Sequence, residues 1–256
     1  MTAPVPQTDA DRFLGAIGPS SIHDVAWLRQ QKWRFLNALR KNPTDIDTRI
    51  ALSFALAALG ERDAAVREAE GAFSLRRLGS ITSIVNLSSL SLNLGFPERA
   101  RCLARDLLKL YDGQIGMNVR SLLHDICQEN GDIELWQHLI RDEQSNNIVY
   151  KDDIFHLLSA HDALDAYAGH QRITLDILGN RLCVIATDLS YDDGSPLIGQ
   201  RYYVVATNAE RKALYRQLFE AKDAFFHKDG KPWSPLGGIV GAVLCSLPLE
   251  EDEAVA

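Results

Sequence analysis

The feature that most constrains this chain is a helical hairpin whose frame returns at a fixed interval. Residues 42–75 read as two helices that fold back on one another at Gly60. Ile50, Leu52, Leu56 and Leu59 give an apolar face to a helix over 46–59. Gly60 stops it, because a left-handed residue after a helix is least costly as glycine. Asp63 is a candidate cap for the second helix, whose inner side carries Ala65, Ala69, Ala72 and Phe73. Small residues at that spacing let two helices approach closely. At an offset of 35 residues Gly60 maps to Gly95, Leu52 to Leu87, Ala65 to Ala100 and Ala69 to Ala104, while Ala72 maps to the larger Leu107. At a further offset of 36, Gly95 maps to Gly131, Leu87 to Leu123 and Ala100 to Trp136. Half of a preceding copy is visible in Phe35, Ala38 and Pro43.

This frame resembles the tetratricopeptide repeat, a hairpin of about 34 residues with a small residue at the turn, alanines on the second helix and a proline near the end. The resemblance spans roughly residues 25–145. Leu52, Leu56, Gly60, Ala65, Ala69 and Ala72 fall where the pattern asks; Arg49 and Ile84 stand where it prefers tryptophan. A related hairpin solenoid and an ordinary bundle with coincidental spacing remain alternatives. The resemblance implies a curved array whose first helices line a concave, partner-holding groove. Carried over, the lining would be Asp47, Ile50, Phe54 and Ala58, then Thr82, Val85, Ser89 and Asn93, then Asn118, Ser121, Asp125 and Gln128. Ile50, Phe54, Ala58, Ser89, Asn93, Ser121 and Asp125 are the partner-binding candidates, with asparagine amides gripping an extended backbone. The competing expectation is a groove filled by the chain's own 152–168 helix or by its C-terminal half.

Around this array, residues 1–10 read as a flexible lead-in and 11–17 as a short helix with Phe13, Leu14 and Ile17 on one side. Ser21 is expected to cap a helix running to Arg40, which Asn42-Pro43 ends. The polar stretch 142–147 reads as a linker, and 152–168 as a helix or broken pair that ends at Gly169. The grammar then changes to period two. Ile173, Leu175 and Ile177 suggest a strand, Gly179-Asn180 a hairpin turn, and 182–186 a second strand. A long loop over 188–199, a strand over 201–207, a helix over 209–226 capped by Asn208, a loop over 227–238 and a strand over 239–247 complete the pattern. The expected fold class is therefore α+β. An all-α, tetratricopeptide-like domain over 11–168 precedes a small α+β domain over 169–248 with a mainly antiparallel sheet, and an acidic disordered tail occupies 249–256.

Charge and motif content narrow the chemistry. The net charge of −7 splits into −1 over residues 1–150 and −6 over 151–256, so no basic footprint for nucleic acid stands out. Arg76, Arg77, Arg99, Arg101 and Arg105 are balanced by Glu68, Glu70, Glu98 and Asp106, as on a solvated helix face. The N-terminus has no secretory signal pattern, and the apolar run 237–249 is too short for a membrane helix of about 20 residues. Cys102, Cys127, Cys183 and Cys245 lie far apart with no CxxC and read as reduced thiols of a cytoplasmic protein. Asp152 and His156 share a helix face, but His161 is turned away and no zinc motif is present. Asp188, Asp192 and Asp193 with Gly194 miss the calcium-loop spacing, Ser195 lacks a nucleophile elbow, and Gly237, Gly238 and Gly241 form no phosphate-binding fingerprint.

These observations point to a non-enzymatic, cytoplasmic scaffold or adaptor that binds a protein or peptide without cofactor, nucleic acid or membrane. It would be chaperone-like, immunity-type or a regulator in a bacterial system. Two other classes stay open. One is an enzyme at the domain junction, a metal-dependent hydrolase for example, using His156, His161 or His227 with the 188–193 loop. The other is a structural subunit that pairs with another copy through a sheet edge.

Overall fold

The structure, a computed structural model, describes residues 8–110, 115–145, 153–192, 195–227 and 240–247. The expected lead-in up to residue 7, the end of the 142–147 linker, the loop over 228–238 and the acidic tail lie outside the described residues, as do Asp152, Asp193, Gly194, Gly237 and Gly238. The chain is α+β, with a helical N-terminal region and a three-stranded sheet. The helices are α1 (Asp9–Ala16), α2 (Val25–Lys41), α3 (Ile46–Ala58), α4 (Arg62–Ser74), α5 (Ile81–Asn93), α6 (Pro97–Leu110), α7 (Met117–Asn130), α8 (Ile133–Ser145), α9 (Asp153–Ala160) and α10 (Leu164–Leu178). After them come β1 (Leu182–Asp192), β2 (Ser195–Val205), α11 (Asn208–Phe226) and β3 (Val240–Leu247).

Consecutive helices from α3 to α8 pack as hairpins, and the same local bonds return along them. Gly60, Gly95 and Gly131 have φ of +77°, +73° and +63°, the left-handed region that glycine enters without steric cost. Across each turn the next N–H reaches back five residues: Glu61 to the Leu56 carbonyl, Phe96 to Ser91 and Asp132 to Cys127, at 2.9, 2.8 and 2.9 Å. Inside two of the hairpins a buried hydroxyl crosses between helices. Ser53 donates to the Ala65 carbonyl and Ser88 to the Ala100 carbonyl, both at 2.7 Å. Ala65 and Ala100 are fully buried, and only a side chain that small lets the serine reach the opposite backbone. Arg49, where tryptophan was preferred, ties α3 to α4 through Glu68 at 2.6 Å, its guanidinium filling the space above Gly71.

Several boundaries differ from the sequence reading. Asp9 already belongs to α1, started by a capping box in which Thr8 Oγ1 accepts from the Asp11 N–H and the Asp11 carboxylate from the Thr8 N–H. Asp24 caps α2 instead of Ser21, and Thr207 caps α11 instead of Asn208. The largest change is α10, which runs straight through Gly169 and the expected strand at 173–177. Gln171, Thr174, Leu175 and Leu178 form its buried side at helical spacing. Gly169 is not a stop: Phe225 of α11 lies 2.3 Å from where a Cβ would be, so glycine makes room for a ring. The expected loop at 188–199 is instead the far end of a long hairpin, with Asp188 opposite Gly199 and Leu189 opposite Ile198.

The sheet order is β1-β2-β3, antiparallel between β1 and β2 but parallel between β2 and β3, so it is mixed. Alternation on central β2 gives each face its own core. Tyr202 and Val204 join Leu175 and Leu178 of α10 and Leu214 and Leu218 of α11. Tyr203 joins Val184 and the helices at the front of the chain. α10 lies across the hairpin tips, because the Gly179 carbonyl oxygen sits 2.2 Å from an ideal Cβ at Gly95 and Ala168 and Gln171 lie 3.0 Å from one at Gly131. Gly95→Ala is therefore expected to cost about 2–4 kcal/mol, combining left-handed strain with overpacking. Gly18, which faces open space, should accept alanine almost without loss. Denaturant unfolding of the two variants checks the contrast.

Candidate functional site

The first-helix face, expected as an open groove, is the place where the two halves of the chain meet. Ile50, Phe54 and Ala58 are only 0, 6 and 8% exposed. They share one apolar cluster with Ala10 and Phe13 of α1 and with Cys183, Val184 and Tyr203 of the sheet. β1 packs along α3, α5 and α7. Asn93 is buried as well, its Oδ1 without a hydrogen-bond partner, whereas Ser89 and Ser121 are half-buried and Asp125 is exposed. Asp47 is half-buried; burial raises its carboxyl pKa, opposed by a hydrogen bond from Ser83. The first three candidates are buried within the chain's own core. The structure does not gather the seven onto one accessible surface.

Arg62 holds the seam. Its guanidinium donates to the Leu182 carbonyl at the start of β1, at 2.8 Å, and to the Leu94 carbonyl at the end of α5. Burial lowers its pKa to about 10, which leaves it charged at neutral pH. Nearby Cys183 is pushed up to about 12 by burial, with Arg62 opposing, so its thiol stays protonated. All four cysteines are free.

The histidines considered for catalysis do not converge. His156 and His161 are exposed, His156 edge-on to Trp136, and His227 lies 3.0 Å from Asp223 on its own helix. Asp188 is engaged by Arg201 at 2.9 Å. Among the described residues no three His, Cys, Asp or Glu side chains could hold a metal ion. Arg99 and Arg105 of α6 are spent on neighbouring segments, Arg99 on Glu70 at 2.8 Å and Arg105 on Asp132 and Glu134 at 3.0 and 2.9 Å, while Arg101 pairs with Glu98 on its own helix. Arg105, Lys109, Glu134 and His138 line a shallow surface cleft of about 430 Å³ between α6 and α8.

The densest buried polar group escaped the sequence reading. Tyr167, His170, Gln171 and Thr174 occupy one face of α10 and meet Gln200 and Tyr202 of β2. Tyr202 Oη donates within reach of Gln171 Oε1 and Gln200 Oε1, at 2.7 and 2.9 Å. Gln171 and Gln200 both donate to Tyr167 Oη, at 2.9 and 2.8 Å, and that hydroxyl donates to the Gln128 carbonyl at 3.1 Å. His170 Nε2 lies 3.1 Å from Gln200 Oε1 and 3.4 Å from Lys222 Nζ of α11. Burial, then the charge of Lys222, push His170 down to about 3, so the imidazole is neutral. Burial also lowers Lys222 to about 8 and holds Tyr202 and Glu129 well above their usual ranges. These bonds tie α10 to β2. Their sequence signal was the i, i+3, i+4, i+7 spacing of 167, 170, 171 and 174.

No protein-family model, curated protein or solved structure matches this chain. Among the described residues no helix is long and apolar enough to cross a membrane.

The neutral His170 has a pH signature. Between pH 6.5 and about 3 the unfolded imidazole binds a proton that the folded one refuses. Stability contributed by this group is complete above pH 6.5 and lost as pH falls, by at most ~1.4 kcal/mol per unit. Wild type should lose stability relative to His170→Gln through that window in urea unfolding. A pH-independent difference would show that His170 is not held neutral.

Proposed function

We propose that this chain is a non-catalytic protein-interaction scaffold in which tetratricopeptide-like hairpins are locked by an α+β head. It acts as an adaptor, with a chaperone-like, immunity-type or regulatory role, by binding a protein or peptide. Four free cysteines support placing it in a reducing compartment such as the cytoplasm. The first-helix face shares an apolar cluster with the chain's own sheet, which supports partner contact on the outer surface. The observation that carries this reading is on α2, where Trp33 is 67% exposed and Leu36, one turn on, is 39% exposed. A projecting tryptophan beside a leucine leaves costly apolar area in water, and tryptophan is among the residue types that dominate interface energies. Trp27 of the same helix shows the contrast: it stacks on Phe13 at 5.1 Å and serves the core.

The test is affinity capture from native lysate with wild type and with the Trp33→Ser, Leu36→Ser variant, checked for unchanged circular dichroism. Both positions are surface ones, so folding should hold. A stoichiometric protein partner retained by wild type and lost by the variant is the expected result. An identical set on both proteins, or no partner on wild type, would sink the proposal.

A further inference from the structure

The outer face of α11 carries a charge order suited to a copy of itself. Leu214 and Leu218 point into the core beneath the helix. The opposite side presents Lys212 and Arg216 in its first half, Phe219 near the middle, and Glu220 and Asp223 in its second half, all exposed. Phe219 is 68% exposed. Among the described residues Lys212, Arg216 and Glu220 take part in no ion pair, and Asp223 meets only His227 on its own helix. The order also runs against the helix dipole. Cations are favoured toward a C-terminus and anions toward an N-terminus, and basic-before-acidic is the weaker sense for spacing of four. Among the described residues no ion pair from another element compensates this arrangement. An antiparallel second α11 would: it places the acidic half over the basic half, twice, and Phe219 near its own copy.

We propose that α11 is a self-association surface, on which a second copy of this chain docks its own α11 antiparallel, with Arg216 of each copy facing Glu220 of the other. The contact is isologous, so one set of residues serves both sides and the assembly closes at two. A helix of 19 residues is about 28 Å long. A single helix pair of that length falls at the small end of specific interfaces, and the dimer is accordingly weak and concentration-dependent. The β3 edge of the sheet is another route by which copies could join, since β3 is an outer strand without charge or proline. There, however, the Leu244 N–H already donates to Tyr215 Oη at 2.7 Å, and Tyr215 belongs to α11. The edge is guarded from the same helix that offers the complementary face. This inference is independent of the Trp33 patch, which lies on α2.

The test is sedimentation equilibrium of the full chain over a concentration series. Arg216→Glu alone and Glu220→Arg alone each set like charges against one another twice, and each should weaken the dimer about tenfold or more. The double variant restores opposite charges in every pair and should dimerise like wild type. A mixture of the two single variants should form a heterodimer tighter than either homodimer. Recovery in the double variant and in the mixture cannot come from misfolding. The proposal is overturned by a wild type that stays monomeric at every concentration, by a dimer indifferent to the single variants, or by a double variant and mixture that fail to recover.

Discussion

The carbonyl of Gly179 lies where a side chain at position 95 would have to go, and the seating of the head on the helices depends on that contact. Gly95 closes the α5–α6 hairpin in a left-handed conformation. The same residue leaves a space on the outside of the turn, and the end of α10 enters it. From there the chain continues as β1 along α3, α5 and α7. Arg62 then fastens the arrival point by binding the carbonyls of Leu94 and Leu182 together. A charged donor with two buried backbone acceptors is among the stronger hydrogen-bonding arrangements a protein can make.

The consequence is a groove that became an interior. Phe54, Val184 and Tyr203 lie in one apolar cluster. Each large apolar side chain buried there contributes about 1.5–3 kcal/mol. A free peptide would have to replace several of these at once and separate the polar groups of α10 from β2 as well. The tyrosines, glutamines and His170 at that second seam have their partners only when α10 and β2 are in register, so the network selects one seating among many apolar ones. A head held in this way ties the helical hairpins to the sheet on both of its faces.

The hairpin frame was legible before the structure because its determinants are local. Gly60, Gly95 and Gly131 each sit at a turn that needs positive φ, and Ala65 and Ala100 sit where a serine hydroxyl must reach a backbone oxygen. Other parts were hidden for identifiable reasons. The inner side of α10 carries Gln171 and Thr174, so its helical period was masked and the alternation of Ile173, Leu175 and Ile177 stood out. The end of the β1–β2 hairpin carries Asp188 and Ser190, which look like loop residues until register places them on an exposed stretch of strand. The candidate groove residues Ile50, Phe54 and Ala58 are buried in one apolar cluster with α1, α4 and the sheet of the same chain.

The sequence by itself determined the helices, their turn glycines, the alanine contacts within hairpins and the presence of a small sheet. All of these depend on residues close together along the chain, where periodicity and backbone preference act directly. Tertiary structure alone decided that α10 is continuous, that β3 joins β2 in parallel, and that β1 packs along the first helices. An apolar position records that it will be buried, because transfer from water is favourable whatever covers it. It does not record which distant segment does the covering. That choice rests on fit, on a glycine that leaves room for a carbonyl and on polar groups that find partners in one arrangement.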